Sequence, residues 1–287
     1  MALLLGLTGA ASPRRVIRYV PNNRPAIDVF LVAHQDDWQL FMGDIVMKRV
    51  RAGNRIVFIY LTAGDDGRDS LYWRTRERGA IQSTRLAAGV AETDSAAINC
   101  ALVEVVAHFI RKCVLANTES FFLRLPDGRR NGQGFADHGY QSLRKLRSKR
   151  MSAISAVDGS TTYDSWGDLT AITVALVDGD SADVTVHTND PNIVVNPHDH
   201  FDHRMAGLLV ADSRKTKDWK VLYYVGYALA TRAVNRSNDQ ARQKTVLFAA
   251  YDREMLAVNK NWGAYEEHPA FYSECMSRTY SRRASKH

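Results

Sequence analysis

Two short segments hold most of the residues able to do chemistry. The first reads Ala33-His34-Gln35-Asp36-Asp37. Imidazole and carboxylate are ligand types that suit zinc, which in catalytic sites takes three protein ligands and keeps a further position open. His34 and Asp37 are three residues apart, so a helical turn starting here would put them on one face, able to share an ion. Asp36 would then project elsewhere, unligated and turned toward a water in the open position. The same Asp-Asp pair would also serve as an ordinary helix N-cap. The second segment runs Asn196-Pro197-His198-Asp199-His200-Phe201-Asp202-His203-Arg204. Histidines and aspartates this dense are seldom buried unless paired or metal-bound. His200 and His203 have the i,i+3 spacing that aims both rings into one site.

The elements that must position these segments are legible in the hydrophobic pattern. Asp28–Ala33 reads as a buried strand, Leu40–Ala52 as a helix closed by Gly53, Arg55–Thr62 as a second buried strand and Ser70–Gly89 as a second helix. Alternation of this kind implies βαβ units. The fold class expected is α/β: a Rossmann-like open, mostly parallel sheet with helices on both faces. Leu102–Val106 is either a third strand or the start of a helix running toward Leu115. Phe121–Leu125 reads as a strand, Pro126–Gly134 as a loop, Asp164–Leu176 as a helix and Val184–Thr188 as a strand. Asn189–Asp202 is a polar loop, followed by a helix at His203–Asp212, a strand at Trp219–Tyr227 and a helix at Gln240–Asn259. Ligands in open α/β sheets bind beyond the carboxyl ends of the strands, which is where both segments fall.

The chain has 287 residues, 45% of them hydrophobic, enough to bury one large core. No linker stands out, so residues 26–287 are expected to form a single catalytic domain behind an extension of residues 1–25. Its first residues, Met1–Ser12, are apolar and end in small residues like part of a secretory signal, but no positive charge precedes Leu3. A cytoplasmic location is favoured over secretion on that ground. No apolar run is long enough for a transmembrane segment. The net charge of +7 admits an anionic substrate, while the basic run Arg144–Arg150 reads as a solvated helix face. No nucleic-acid motif accompanies it, so no nucleic-acid partner is expected. The cysteines, Cys100, Cys113 and Cys275, are odd in number and form no C-x-x-C pair, so they read as buried free thiols.

Together the two segments resemble the PIG-L/LmbE-like N-acetylglucosaminyl deacetylases, which carry A-H-x-D-D after the first strand and H-x-x-H late in the chain. Here these are Ala33–Asp37 and His200-Phe201-Asp202-His203. Leu61-Thr62-Ala63-Gly64, Arg76-Glu77 and Leu125-Pro126-Asp127-Gly128 add to the likeness, which spans roughly Asp28 to Gly207. The resemblance implies hydrolysis of the N-acetyl group of an amino sugar or N-acetylglucosamine-containing conjugate. It implies that His34, Asp37 and His203 hold Zn2+, that Asp36 is the general base, and that His200 stabilises or protonates the reacting centre. Fe2+ also suits a site of two histidines and an aspartate. Asp199 or Asp202 would orient a histidine ring. The family pattern has proline at Gln35 and glutamate at Trp38, and these departures put the substrate in question. Arg68, Trp38, Asp127 and His198 are candidate substrate contacts, and Tyr72 and Trp73 candidate stacking surfaces.

A rival pattern overlaps the second segment. His198, His200, Asp202 and His203 also fit H-x-H-x-D-H, the two-metal signature of metallo-β-lactamase-like hydrolases. That fold needs another ligating His and Asp well downstream, where only His268 and His287 offer a histidine, and it needs strand-rich sequence before the motif. A binding module that kept the fold and lost catalysis is a third reading, opposed by the presence of all five motif residues. The role of Gln240–His287 is not readable from sequence; its aromatic and basic residues could cover the site or form an interface.

Overall fold

Apolar residues on both sides of consecutive strands are the mark of a sheet covered on two faces. In β2 (Ala26–Val32), Ile27, Val29 and Leu31 join one core, while Phe30 and Val32 join the other. In β3 (Arg55–Thr62), Val57, Ile59 and Leu61 alternate in the same way with Ile56, Phe58 and Tyr60. The structure is a computed structural model that describes residues 16–18, 26–94, 97–178, 183–214 and 218–285. Nearly all of the proposed extension 1–25 lies outside the described residues. Its one described piece, β1 (Val16–Arg18), is not a free tail but pairs in parallel with β4 (Ile98–Val105).

Among the described residues the main sheet has nine strands in the order β1-β4-β5-β6-β3-β2-β9-β10-β11. The further members are β5 (His108–Leu115), β6 (Thr118–Leu125), β9 (Asp183–Asn189), β10 (Lys220–Tyr224) and β11 (Ser281–Arg283). The central run β6-β3-β2-β9-β10 is parallel throughout. A separate two-stranded ladder joins β7 (Ile154–Ser155) and β8 (Thr162–Tyr163). On one face of the main sheet pack α1 (Asp37–Arg51), α2 (Ser70–Ala88) and α6 (Asn238–Val258), through Phe41, Val46, Ile81, Leu247 and Phe248. On the other lie α4 (Trp166–Val177) and α5 (Phe201–Ser213), through Leu169, Ile172, Met205 and Leu209. The short α3 (Leu143–Arg147) carries much of the basic run, and α7 (Ala264–Glu267) and α8 (Pro269–Met276) follow α6. No helix among the described residues is long and apolar enough to cross a membrane.

The middle of the chain resolves in favour of strands. β4, β5 and β6 form an antiparallel meander, so no helix runs from Leu102 to Leu115. The β4–β5 turn is Val106-Ala107, with φ of 46° and 63°. Two left-handed residues in a two-residue loop make the tight hairpin that Asn-Gly normally announces, and Val-Ala gives no such warning. The meander also corrects the cysteine reading. Cys100 and Cys113 face each other across β4 and β5 with Cα atoms 4.1 Å apart and form a disulfide; Cys275 is the buried free thiol. Closing a loop of this length is worth up to about 3 kcal/mol through the unfolded chain. The double variant Cys100→Ser/Cys113→Ser should therefore shift the denaturant midpoint downward by an amount in that range. Catalysis should not change, because β5 is separated from β2 by two intervening strands.

Candidate metal centre and active site

The strand order reverses direction at β2 and β9. From β2 the chain crosses by α1 to β3 on one side, and from β9 it crosses by α5 to β10 on the other. The connections diverge there and leave a crevice beyond the carboxyl ends of the two strands. His34 lies just past the end of β2, and Asp37 is the first residue of α1. His200 is the N-cap of α5 and His203 lies in its first turn. The N-termini of two helices of 15 and 13 residues thus flank one crevice, a setting that favours negative charge.

Buried polar contacts fix the loops. The His34 amide donates to Asp37 Oδ2 at 2.8 Å, folding the first segment back on itself. Thr62, at the end of β3, donates its hydroxyl to the Ala33 carbonyl at 3.0 Å. Gln35 Nε2 donates to the Thr62 carbonyl at 2.8 Å, so the departure from proline at this position installs a cross-link between the ends of β2 and β3.

His34, Asp37 and His203 converge as the sequence motifs require. His34 Nδ1 is 3.2 Å from His203 Nε2, His203 Nε2 is 3.0 Å from Asp37 Oδ1, and His34 Nδ1 is 3.5 Å from Asp37 Oδ1. All three residues are buried. Ligands at the corners of a tetrahedron with metal bonds near 2.0–2.1 Å stand about 3.3 Å apart, so the donor set fits one cation. The hydrogen bonds of the cluster point the same way. His203 Nδ1 is 2.9 Å from Asp199 Oδ1, and an Nδ1–H donated there leaves a lone pair on Nε2. That lone pair faces Asp37 and His34, an arrangement that needs a positive charge at its centre. Asp199 thus stands where a carboxylate sets the tautomer and orientation of a histidine ring in metal sites.

Without a cation, the surrounding carboxylates favour a proton on these rings. Burial alone would push His203 down, but Asp37 and Asp199 lift it to about 10. Burial likewise opposes charge on His34, and Asp37 leads the carboxylates that raise it well above the ordinary imidazole range. Burial would raise Asp37, yet His203 and His34 hold it well below the usual carboxylate value. The two histidine shifts make an unusual pH dependence. A group raised on folding contributes its full stability below its unfolded value, here 6.5, and loses it as pH rises toward the folded value of about 10. Chelated protein should lose thermal stability between those limits. Metal-loaded protein, whose ligating rings are already neutral, should not. Melting temperatures measured across that range, with and without chelator, check both halves.

Asp36 stays outside the three-residue cluster and lines a pocket of about 260 Å3 that opens over it. Its Oδ1 accepts from Arg76 Nη2 at 2.5 Å, and Arg76 Nη1 donates to the Gly64 carbonyl at 3.0 Å. Gly64 has φ of 56°, and a Cβ there would press on Gln35 and the Arg76 guanidinium, so this glycine is needed where β3 ends. His200 also lines the pocket. Its Nδ1 accepts the Asp202 amide at 3.2 Å, which caps α5 and leaves the proton on Nε2. Burial, reinforced by the neighbouring His34 charge, lowers His200 to about 4, so it is a neutral donor at pH 7.

The substrate candidates separate into two groups. Arg68 and Asp127 line the pocket; the Arg68 guanidinium rests 4.4 Å from the Tyr72 ring centroid. Asp127 Oδ1 accepts the Arg129 amide at 2.6 Å, and beyond that bond its carboxylate faces two imidazoles, with Oδ2 3.4 Å from His34 Nε2 and Oδ1 3.6 Å from His200 Nε2. Trp38 is not in the pocket wall. It is fully buried, donates its indole N–H to the Tyr60 hydroxyl at 2.8 Å and packs on Phe58, because its place in the first turn of α1 turns it toward the sheet. Trp73 is buried as well and carries Arg124 and Arg74 over its ring. His198 is exposed, outside the pocket, and contributes its carbonyl to Arg130; a left-handed φ of 58° turns the chain there. Neither ligand cluster includes His198, so the H-x-H-x-D-H reading finds no support here, nor does its fold in a mostly parallel sheet.

Sequence reasoning missed the far wall. Tyr251 and Met255 from α6, then Trp262 and Tyr272, close the pocket, and Tyr227, just after β10, joins them. Trp262 meets Tyr72 edge-on at 5.0 Å. Burial keeps the Tyr227 and Tyr251 phenols well above their ordinary values and therefore protonated. These residues lie far along the chain from either motif and have the types of ordinary core residues, so no local signal marks them.

The family model described as GlcNAc-PI de-N-acetylase, PIG-L, matches residues 29–213. The chain belongs to the PIG-L family. Solved structures similar to this PIG-L member include the N,N'-diacetylchitobiose deacetylase from Pyrococcus horikoshii, at 15% identity and a TM-score of 0.46, covering 92% of this chain and 85% of that one. A zinc-inhibited form of a teicoplanin deacetylase is similar at 12% identity and a TM-score of 0.45, covering 82% and 86%. An A40926 pseudoaglycone deacetylase is similar at 12% identity and 0.45, covering 91% and 96%. No curated protein matches the chain. By its family the PIG-L member is a hydrolytic N-deacetylase, and its motif residues meet in one crevice.

Proposed function

We propose that the chain removes the N-acetyl group from an N-acetylglucosamine-type sugar within a larger conjugate, with a cation held by His34, Asp37 and His203. The observation that carries this reading is the convergence of three ligating atoms at 3.0–3.5 Å beside a second aspartate, Asp36, that faces the pocket instead of joining them. Zn2+ is the favoured ion and Fe2+ the alternative for such a donor set. When bound, the ion supplies a water of lowered pKa and positive charge for the carbonyl oxygen.

Asp36 takes a proton from the attacking water, and Arg76 holds its carboxylate in place for that transfer. As the water oxygen bonds to the acetyl carbon, His200 Nε2–H donates to the developing oxyanion without carrying a charge of its own. The carbon–nitrogen bond then breaks, and Asp36 returns the proton to the departing nitrogen. The products are acetate and a free amine. His200 is the poorer proton source, because an imidazolium is disfavoured at its site and protonation of Nδ1 would break the α5 cap. The aromatic wall of Tyr72 and Trp262 gives a sugar ring a surface to lie on, and Arg68 with Asp127 offers hydrogen bonds to its hydroxyls.

The bond assignment is open to a direct check. Turnover of an N-acetylglucosamine conjugate in 18O-water should place one heavy oxygen in the released acetate and none in the sugar. Label appearing at the anomeric position or in a phosphate would show that a different bond is cut.

A further inference from the structure

Beside the first cluster, a second set of ligating atoms converges on the opposite face of the same imidazole. His34, Asp127, His200 and Asp202 place ligand atoms within 4.8 Å of one another. His34 Nε2 stands 3.4 Å from Asp127 Oδ2 and 3.7 Å from Asp202 Oδ2, and His200 Nε2 stands 3.6 Å from Asp127 Oδ1. His34 Nε2 and Asp202 Oδ1 have no hydrogen-bond partner, although His34 is 4% exposed and Asp202 is fully buried. Buried polar atoms are normally partnered. Charge-assisted N–H···O contacts close to about 2.7–2.9 Å, and these stay wider. The spacing instead suits atoms sharing an ion at about 2.0–2.1 Å, which stand about 3.3 Å apart in a tetrahedron and farther apart in a more open shell.

We propose that these four residues form a second divalent-cation site of zinc-like donor type, bridged to the first through the His34 ring, and that filling it stops the reaction. Asp127 and Asp202 supply two carboxylate oxygens. His34 joins by giving its Nε2 proton to solvent, so that one imidazolate links the two ions through its two nitrogens. His200 joins through Nε2 by moving its proton to Nδ1 and releasing the Asp202 amide. The second ion is the weaker one, because it binds beside a charged centre and must displace that proton and that cap. Gly128 is part of the design: its amide donates to Asp202 Oδ2 at 2.7 Å, and any Cβ there would collide with the same carboxylate. An ion in this site takes His200 and Asp127 away from the pocket they line. The inhibition rests on the deacetylase reading above, whereas the binding does not.

The test is a titration of the full, metal-stripped chain with Zn2+ alone, followed by calorimetry and dye competition. Wild type should bind two equivalents, the second at least about tenfold more weakly, and hydrolysis should rise with the first and fall with the second. Asp127→Asn and Asp202→Asn should each bind one equivalent, at nearly wild-type first-site affinity. Circular dichroism reports whether each variant folds, and either folded variant decides the point. A single equivalent in wild type, or two in either folded variant, would overturn the proposal. If the stoichiometries hold but one equivalent gives no hydrolysis, the second site stands and the functional reading falls.

Discussion

Asp36→Ala should reduce kcat by about 10^2–10^4-fold, the usual worth of a positioned general base, while the protein still binds its first equivalent of cation. Two adjacent aspartates divide the labour. Asp37 is turned inward by the His34 amide and shares its oxygens with His34 and His203. Asp36 projects into the pocket and is tied to Arg76. Removing it takes away the proton acceptor but none of the three ligating atoms. Asp36→Asn, which preserves the shape and an oxygen toward Arg76, should be as inactive as the alanine variant, because the deficit is basicity and not packing. Metal content measured alongside turnover separates the outcomes: near-normal turnover would dismiss Asp36 as the base, and loss of metal would move it into the ligand set.

His203→Ala should fail at the earlier step. It should lose cation binding and with it all activity above that of the chelated protein. It also leaves Asp37 and Asp199 buried without their shared partner, an arrangement that typically costs about 3–5 kcal/mol. Asp199→Asn makes the sharper comparison. Asp199 touches no cation in this scheme; it holds the Nδ1 side of the His203 ring and accepts the Tyr227 amide. Its replacement should weaken metal affinity by about 10–100-fold, with activity restored at high metal concentration. Affinity measured by competition with a chelating dye distinguishes a ligand from the residue that orients it.

How much of this was legible in the sequence depended on whether the signal was local. β3 was readable to the residue, because an uninterrupted apolar run bounded by Asn54 and Ala63 allows little else. The placement of His34, Asp37, His200 and His203 at the ends of strands or in first helical turns followed from the motifs together with the alternation of strand and helix. The β4–β5 hairpin did not follow, because Val106 and Ala107 adopt left-handed conformations that their side chains disfavour. The disulfide was hidden for the same reason: without the hairpin, Cys100 and Cys113 have no evident register. Trp38 was assigned to the pocket because it stands where the family pattern has glutamate, but each step along a helix rotates a side chain by about 100°, and the step from Asp37 carries it into the core. The far wall depended on α6 and the chain beyond it packing back over α1 and α2, a tertiary fact with no local mark. His187 shows the reverse case, a histidine with chemistry-bearing potential that the fold uses structurally, stacked on Phe30 and bound between Asp28 and Tyr224.

The central claim is that one cation held by His34, Asp37 and His203, acting with Asp36, hydrolyses an N-acetyl amide. The most direct measurement is release of free amine from a panel of N-acetylated sugars and conjugates, run on wild type, on wild type stripped by chelator and then reloaded with one equivalent of Zn2+, and on Asp36→Ala. The account predicts amine release by wild type, its loss on stripping, its return on reloading, and its near absence in the metal-loaded Asp36 variant. Amine release that survives both complete metal removal and loss of Asp36 would contradict it.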